Sequence, residues 1–414
     1  MAAAFPITFS PNKTHQMFSQ SGLSFPPPNP IKSQHARNSM HVQVPSSATN
    51  FGFKNLLKTF MVEVYKAENR PLNVPLIAPF TIASSRLEKV ENVAIRIELK
   101  NGCVGWGEAP ILPFVTAEDQ PTAMAKAKEA CEMLKGCSFI TLGAVLGEIC
   151  HLLPGHQFAS VRAGVEMALI DAAAKSIGVP LWRLFGGASN TITTDITIPI
   201  VSPAEAAALA SKYREQGFET LKLKVGKNLK ADIEVLQAIR AAHPDCSFIL
   251  DANEGYRPEE AIEVLEKLHE MGVTPVLFEQ PVHRDDWEGL GRVSRFAKSK
   301  YGVSVAADES SRNLADVKKI VQGELADVVN IKLAKVGVLG WPWALPDILP
   351  LASDVSNLSI WILPFSCLKI PFLKDMKVSE LFTSSRMPQA MVVTFTGKMS
   401  HEIIILAASS VLEL

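Results

Sequence analysis

Three acidic residues, Asp251, Glu279 and Asp308, each end one of three successive apolar stretches of the sequence. The intervals between them are nearly equal, at 28 residues (279 − 251) and 29 residues (308 − 279). One acid in such a place would more often cap a helix, but three at one repeat favour a shared edge where strands end. Converging carboxylate oxygens suit Mg²⁺, which keeps its other positions for water or substrate oxygens. The spacing therefore predicts a site for one Mg²⁺ per subunit, with Asn253 and Glu309 as polar neighbours of its ligands.

Three lysines accompany these acids: Lys222 and Lys224 precede them and Lys332 follows them. The first two are two residues apart in TLKLKVG, so both side chains leave the same face if this stretch is a strand. A solvated pair on an edge strand is the alternative, but leucines fill the other face. Mutual repulsion and a nearby cation lower the pKa of an ammonium group. We therefore expect one of these lysines to act as a base near neutral pH.

Lysines on opposite sides of one bound molecule can invert a carbon centre. Lys224 or Lys332 would remove a proton as an amine, and the other would return one as an ammonium group from the opposite side. The intermediate is an enediolate, whose second negative charge Mg²⁺ and Lys222 would stabilise. Without that stabilisation, a proton α to a carboxylate is too weakly acidic for lysine to remove. The residues thus predict an epimerase that works by two-base proton transfer.

These residues lie on a repeating pattern of strand and helix that starts at Thr191. Glycines close the helical stretches, and six short strand-like stretches alternate with them: ITTDITIPI, TLKLKVG, SFILDAN, VLFEQP, SVAADES and VVNIKLA. Repeated βα units predict a parallel barrel or a doubly wound sheet. Charge at the end of strand after strand favours the barrel, because a doubly wound sheet concentrates its site at one switch point. We therefore predict an α/β fold with a TIM-like barrel over residues 189–340.

The residues before the barrel, 59–188, predict an α+β capping domain. Strand-like alternation in FMVEVYKAE, PLIAPFTIAS and VENVAIRIELKNGCVGWGEA indicates a small antiparallel sheet with a turn at Lys100-Asn101-Gly102. Helical stretches follow over 122–136 and 160–178, each ending at a glycine that can stop a helix.

The first 58 residues have the composition of an organelle transit peptide. No acidic residue occurs before Glu63, whereas serines, prolines and five basic residues do. A disordered tail without a targeting role is the alternative. Because Arg37 is the only arginine there, we expect the chloroplast, with the mitochondrion or the cytoplasm as alternatives. The net charge of −1 gives no reason to expect nucleic acid or a membrane as a partner, and the sequence leaves a homo-oligomer open.

From about Phe60 to Gly340 the chain resembles the enolase superfamily, in its muconate-lactonizing subgroup. The matching motifs are KxK, DxN, EQP, DES and a later lysine, which stand here as Lys222/Lys224, Asp251/Asn253, Glu279-Gln280-Pro281, Asp308-Glu309-Ser310 and Lys332. The resemblance implies a capping domain followed by a (β/α)₇β barrel.

Within that subgroup, the segment 78–99 and the NIKLAK motif most resemble the L-Ala-D/L-Glu epimerases. This resemblance implies a dipeptide substrate whose carboxylate Thr197 and Lys222 contact. Arg86 would grip the glutamate side chain, although an exposed hairpin arginine is the equal alternative. A cycloisomerase or an o-succinylbenzoate synthase of the same superfamily would use the same lysines and metal, and is the alternative activity.

The resemblance stops after Gly340. No glycine occurs from Trp341 to Thr396, and three of the six tryptophans lie in this tail. We expect residues 341–414 to be an out-of-frame or alternatively spliced translation; a divergent C-terminal subdomain is the alternative. The barrel would then be incomplete after its sixth strand, and the chain weakly active or an inactive truncated isoform.

Overall fold

The structure is a computed structural model that describes residues 52–83, 85–185 and 195–338, and three further strands at 359–363, 391–393 and 405–407. Most of the expected transit peptide, the boundary expected at residues 188 and 189, and most of the tail lie outside these residues. No helix among the described residues is both long enough and apolar enough to cross a membrane.

The first part of the described chain is the expected α+β capping domain. Its elements are α1 (Phe53–Thr59), β1 (Met61–Thr81), β2 (Arg86–Leu99), β3 (Val104–Ala109), α2 (Pro113–Thr116), α3 (Gln120–Gly136), β4 (Ser138–Thr141), α4 (Leu142–Leu152), α5 (Ala159–Ser176) and α6 (Leu181–Leu184). The strands form one antiparallel sheet in the order β3-β2-β1-β4. The sequence pattern missed helix α1, whose Phe53 and Leu56 are buried in the core. Residues 53–58, expected to be disordered, are therefore folded.

Helix α5 lies directly on strand β3, because small residues face each other across the contact. A side-chain carbon added at Gly107 would lie 1.8 Å from Gly164 O, and one at Gly105 would lie 1.9 Å from Ala168 O. Only glycine fits at the two strand positions without moving backbone. The close approach explains why α5 is buried on nearly every side.

The first backbone N–H groups of α5 have no side-chain acceptor at the N-cap residue, Phe158. A carboxylate distant in sequence accepts their hydrogen bonds instead. Glu118 Oε1 accepts from the backbone N–H groups of Ser160 and Val161 at 3.0 and 3.1 Å. Burial nevertheless raises the pKa of Glu118 from 4.5 to about 7, against the opposing effect of those hydrogen bonds. Its Oε2 atom is buried without a hydrogen-bond partner among the described residues.

Replacing Glu118 by glutamine is expected to remove a pH dependence of stability. The folded-state pKa lies above the unfolded one, so the contribution of this carboxyl is full below about pH 4.5 and is lost as pH rises through about 7. The shift of about 2.5 pKa units (7 − 4.5) corresponds to about 3 kcal/mol at most. In urea unfolding, the free energy of unfolding of the variant relative to the wild type should be higher at pH 8 than at pH 5. The exposed Glu132→Gln control should change stability by under about 0.5 kcal/mol, and an equal Glu118→Gln effect at both pH values would contradict the assignment.

The second part of the chain alternates strand and helix, as predicted. Its elements are β5 (Ile196–Ile198), α7 (Pro203–Glu215), β6 (Thr220–Lys224), α8 (Leu229–Ala242), β7 (Ser247–Asp251), α9 (Pro258–Glu270), β8 (Leu277–Glu279), α10 (Trp287–Tyr301), β9 (Ser304–Ala307), α11 (Leu314–Gln322), β10 (Val328–Lys332) and α12 (Leu333–Val336). All neighbouring strands are parallel and pair in chain order. Their residues are almost all buried, as in parallel sheets covered by helices on both faces.

The sheet does not end at its sixth strand, although among the described residues it stays an incomplete barrel, since the first and last strands of its order do not pair. Strand β11 (Ser359–Leu363) lies parallel to β10 in continuous register, from Val328 opposite Ser359 to Lys332 opposite Leu363. It makes the sheet seven-stranded, in the order β11-β10-β9-β8-β7-β6-β5. The tail also contains β12 (Met391–Val393) and β13 (Ile405–Ala407), which pair with each other. The segment SIWIL is a short apolar run with two isoleucines and a tryptophan, residue types that favour a strand, although the composition of the tail indicated the end of the barrel.

Hydrogen bonds join the capping domain to the loops that follow the barrel strands. At the tip of the β1–β2 hairpin, Thr81 O accepts from Ile200 N at 3.0 Å. On the other side, Arg162 of α5 donates to Val336 O at 2.7 Å. Gly337 has a φ of 78°, and a side-chain carbon there would lie 2.4 Å from Arg162 Nε, so glycine is required. The capping domain thus fixes the backbone that follows β5 and the backbone that follows β10.

Candidate active site

The charged residues predicted from the sequence meet at the carboxyl ends of the barrel strands. In the strand register, Lys224 lies opposite Asp251 and Asp251 lies opposite Glu279. Asp308 directly follows β9, and Lys332 ends β10. The three acids are at most 1% exposed. Parallel strands bring their ends to one edge, so residues 28 or 29 apart in sequence become neighbours in space.

Lysine side chains bind one oxygen of each acid. Lys222 Nζ lies 2.8 Å from Asp251 Oδ2 and 2.6 Å from Glu279 Oε2. Lys224 Nζ donates to Asp251 Oδ2 at 2.5 Å. Lys332 Nζ donates to Asp308 Oδ2. Lys224 and Lys332 therefore flank the acids on strands β6 and β10, with the three acidic strand ends between them.

The other oxygen of each acid, here called the anchored oxygen, has its own donor. Asp251 Oδ1 accepts from the backbone N–H of Asn253 at 3.1 Å. Glu279 Oε1 accepts from Asn330 Nδ2 at 2.9 Å. Asp308 Oδ1 accepts from Lys335 Nζ at 2.6 Å. Each carboxylate is thus held in one orientation.

The electrostatics of the acids reflect their crowding. Burial raises the pKa of Glu279 to about 7, and the negative charge of Asp251 adds to that effect. Burial would also raise the pKa of Asp308, but the ammonium groups of Lys332 and Lys335 outweigh it and hold the pKa well below its usual value. The cluster therefore contains carboxylates that repel one another and that are ionised only because cations lie beside them.

The donor set fits Mg²⁺, although the acids do not surround a common point as they stand. Among the described residues, no group of three or more His, Cys, Asp and Glu side chains is arranged to hold a metal ion. The contacts explain this, because lysines bind the oxygens that are not anchored. Three buried carboxylates with one oxygen anchored each are the hard, oriented oxygen donors that Mg²⁺ prefers.

The acids raise the pKa of Lys222 and Lys332, whereas mutual repulsion and a nearby cation were expected to lower the pKa of Lys222 or Lys224. Burial alone would lower the pKa of the Lys222 ammonium, but the negative charges of Asp251 and Glu279 outweigh it and raise the pKa well above its usual value. The pKa of Lys332 is raised in the same way, chiefly by Asp308. Neighbouring lysines and a bound cation would lower the pKa, but the acids beside Lys222 and Lys332 have the larger effect.

Asn253 and Glu309 lie behind Lys224 in a short hydrogen-bonded chain. Lys224 Nζ donates to Asn253 Oδ1 at 2.9 Å, and Asn253 Nδ2 donates to Glu309 Oε1 at 3.0 Å. Asn253 has a φ of 41°, a left-handed conformation that asparagine tolerates better than most residues. Both were predicted as polar neighbours of the acids, and the structure places them there.

Thr197 and Arg86 have different surroundings. Thr197 lies opposite Lys222 in the register of β5 and β6, so it borders the cluster. Arg86 begins β2; its side chain is 61% exposed, and its Nε lies 3.6 Å from a carboxylate oxygen of Glu88. The structure therefore favours the exposed hairpin arginine, and it does not bring Arg86 to the cluster.

The EQP and NIKLAK motifs contain three buried residues of the site that were not predicted as site residues from the sequence: Gln280, Asn330 and Lys335. Gln280 links the ends of β8 and β9, because its Oε1 accepts from the backbone N–H groups of Asp308 and Ser310 at 2.8 and 3.1 Å. Its Nε2 donates to Ser310 Oγ at 2.8 Å and to a backbone carbonyl. A signal existed for Lys335, since it follows Lys332 by three residues in an otherwise apolar stretch. Asn330 could have been found as a polar residue two before Lys332, on the same face of a buried strand.

Replacing Gln280 by leucine is expected to destabilise the protein by about 2–4 kcal/mol, because it leaves two buried N–H groups and a carbonyl without partners. Urea unfolding measures the loss. The control is Gln237→Leu, at an exposed position of α8, which should change stability by under about 0.5 kcal/mol. Equal effects of the two substitutions would contradict the role given to Gln280.

The comparisons with known proteins agree with this geometry. Residues 65–186 match the N-terminal domain of mandelate racemase/muconate lactonizing enzymes. Residues 205–341 match the enolase C-terminal domain-like family. A Populus trichocarpa protein named L-Ala-D/L-amino acid epimerase is 75% identical over 313 residues, which cover 76% of this chain and 74% of that protein. The Bacillus subtilis L-Ala-D/L-Glu epimerase is 38% identical over 279 residues, covering 67% and 75% of the two chains.

Solved structures give the same relationship. A substrate-liganded complex of the Bacillus subtilis L-Ala-D/L-Glu epimerase superposes with a TM-score of 0.67 at 31% identity, covering 84% of this chain and 97% of that one. A dipeptide epimerase from Enterococcus faecalis, complexed with Mg and the dipeptide L-Leu-L-Tyr, superposes with a TM-score of 0.65 at 28% identity, covering 74% and 83%. With its two matched domains and its lysines and acids at successive strand ends, the chain belongs to the mandelate racemase/muconate lactonizing enzyme group of the enolase superfamily.

Proposed function

We propose that this protein is a Mg²⁺-dependent epimerase that inverts an α carbon of a dipeptide. One observation carries the proposal: Lys224 on β6 and Lys332 on β10 lie on either side of three buried acids. Its similarity to proteins named dipeptide epimerases supports the substrate class. A cycloisomerase or an o-succinylbenzoate synthase is not favoured, since the named relatives at 30% identity or more are epimerases.

Asp251, Glu279 and Asp308 would hold the metal ion. Each has one carboxylate oxygen that is not anchored. In the structure a lysine Nζ contacts this oxygen, where the metal ion would bind. When bound, Mg²⁺ neutralises these carboxylates and stabilises the negative charge that develops on the substrate carboxylate. We propose one ion per subunit.

Lys224 and Lys332 would move the proton. Lys224, as an amine, takes the α proton from one face, and Lys332, as an ammonium group, donates a proton to the other face; the reverse reaction exchanges their roles. The C–H electron pair passes to the substrate carboxylate and returns to carbon when the new C–H bond forms. Asn253 orients Lys224, because its side-chain oxygen accepts from the lysine Nζ at 2.9 Å. The substrate is inverted, and no proton is gained or lost overall.

Lys222 and Thr197 would receive the substrate carboxylate. They are neighbours across β5 and β6, so an ammonium group and a hydroxyl group lie side by side next to the acids. The ammonium charge opposes the charge that builds on the carboxylate in the transition state. A substrate contact by Arg86 would require movement of the β1–β2 hairpin tip, and we do not assign one.

The test is exchange of the α proton in D₂O, followed by NMR with Mg²⁺ present. We expect L-Ala-L-Glu to lose its glutamyl α-proton signal as L-Ala-D-Glu appears. A panel of cyclic acids serves as the comparison. Exchange in the cyclic acids alone would favour the cycloisomerase, and absence of exchange in every compound would overturn the proposal.

We further propose that residues 1–52, which precede helix α1, direct the protein to the chloroplast, on the composition of that segment. Fusion of these residues to a fluorescent protein should place it in plastids; fluorescence in mitochondria or cytosol would contradict the proposal. A homo-oligomer is a separate proposal, which sedimentation of the purified protein would test.

A further inference from the structure

The anchored oxygens of the three acids are held by donors of different kinds. Asp251 uses a backbone N–H group, which any residue except proline would supply at position 253. Glu279 and Asp308 instead depend on the side chains of Asn330 and Lys335. These two side chains are therefore the ones that substitution can remove.

Asn330 is placed to serve Glu279. It is fully buried on β10, two residues before Lys332 and so on the same strand face. Its Nδ2 donates to Glu279 Oε1 at 2.9 Å, whereas its Oδ1 has no hydrogen-bond partner among the described residues. A buried amide with one unsatisfied oxygen costs free energy, so the single bond to Glu279 is its evident role.

Lys335 is placed to serve Asp308. It is 1% exposed, and its Nζ contacts Asp308 twice, at Oδ1 at 2.6 Å and at the backbone carbonyl. Nζ also lies 3.3 Å from Asn330 O. The capping domain fixes the backbone of Lys335, because His156 Nδ1 lies 2.9 Å from its carbonyl oxygen.

We propose that Asn330 and Lys335 are positioning residues for the metal site, which hold Glu279 and Asp308 so that each presents a single oxygen to Mg²⁺. The inference rests on the proposed function, because it takes these acids as the ligands. Without Asn330, Glu279 is free to turn its Oε1 atom toward the ion or toward Lys222. Without Lys335, Asp308 loses its orientation and the ammonium group that contacts its anchored oxygen.

Lys332 and Lys335 therefore have different roles at Asp308. Lys332 is 12% exposed in its side chain and binds the oxygen of Asp308 that is not anchored, whereas Lys335 is 1% exposed and binds the anchored one. A metal ion at Asp308 competes with Lys332 and leaves Lys335 in place. Lys335 thus keeps its contact with Asp308, and Lys332 remains available for proton transfer.

The test is Mg²⁺ binding measured by calorimetry on the purified full chain, without substrate. We expect Asn330→Leu and Lys335→Met each to raise the Kd for Mg²⁺ about 10–100-fold, the usual effect of removing a partner that orients a metal ligand. Ser160→Ala, which removes a buried hydrogen bond to Pro110 O in the capping domain, is the control and should leave the Kd unchanged.

The outcomes separate the inference from the proposed function. If Glu279→Gln and Asp308→Asn abolish binding while Asn330→Leu and Lys335→Met keep the Kd within two-fold of the wild type, the inference is overturned and the metal site stands. If Glu279→Gln and Asp308→Asn themselves bind as the wild type does, the metal site is wrong. Asn330→Leu exchanges one neutral side chain for another of similar size, so it decides the matter even if Lys335→Met does not fold.

Discussion

Replacing either Lys224 or Lys332 by methionine is expected to reduce epimerisation by about 10²–10⁴-fold, the usual contribution of a positioned acid or base. The two variants should differ in what they retain. Each keeps one lysine on one side of the acids, so each should still exchange the α proton of the one epimer that presents it to that lysine. Inversion needs both lysines and should be lost in both variants.

NMR in D₂O, started separately from L-Ala-L-Glu and L-Ala-D-Glu, measures this difference. One variant should incorporate deuterium into the first dipeptide and the other into the second, without forming the other epimer. Lys230→Met, at an exposed position on helix α8, is the control and should behave as the wild type. If both variants failed to incorporate deuterium into the same epimer, the two-base mechanism would be contradicted.

Much of this site could be predicted because it lies where buried strands end. A strand inside a barrel must be apolar, so a charged residue at its end stands out in the sequence. Asp251, Glu279 and Asp308 each follow such a stretch, and the parallel register then places them side by side. Local pattern and chain topology are sufficient for that step.

The partners of these acids could not be predicted in the same way. Gln280, Asn330 and Lys335 act through side-chain hydrogen bonds whose existence depends on side-chain direction within a packed barrel. Sequence spacing places a residue on a face of a strand, but it does not say which atom across the barrel the side chain reaches. Strand β11 was missed for another reason, since the change in composition was taken as the end of the barrel.

The pKa of Lys222 likewise could not be predicted from residue spacing, because it depends on which charges surround the lysine in three dimensions. Two lysines on one strand face repel each other, which predicted a lowered pKa. In the structure Lys222 Nζ lies 2.8 Å from Asp251 Oδ2 and 2.6 Å from Glu279 Oε2, and Asp195 adds a third negative charge nearby; against the opposing effect of burial, these acids raise the pKa of Lys222. The balance of a charged cluster depends on every member, and the acids outweigh the lysine pair.

Without metal, neutralising Asp308 is expected to destabilise the protein far more than neutralising Glu279. Asp308→Asn leaves the buried ammonium group of Lys335 without its carboxylate, and removing one partner of a buried ion pair costs about 3–5 kcal/mol. Glu279→Gln removes a charge that burial and Asp251 already disfavour. The amide oxygen can still accept from Asn330, so we expect a loss of under about 1 kcal/mol.

Urea unfolding in EDTA and in excess Mg²⁺ tests both parts of this prediction. In the wild type, Mg²⁺ at about 100 times its Kd should add about 2.7 kcal/mol to the free energy of unfolding. Both variants should lose that gain, because each lacks a ligand, yet in EDTA Asp308→Asn alone should be strongly destabilised. Equal destabilisation of the two variants in EDTA would mean that the lysines do not distinguish the two acids, and a retained Mg²⁺ gain in either would remove that acid from the metal site.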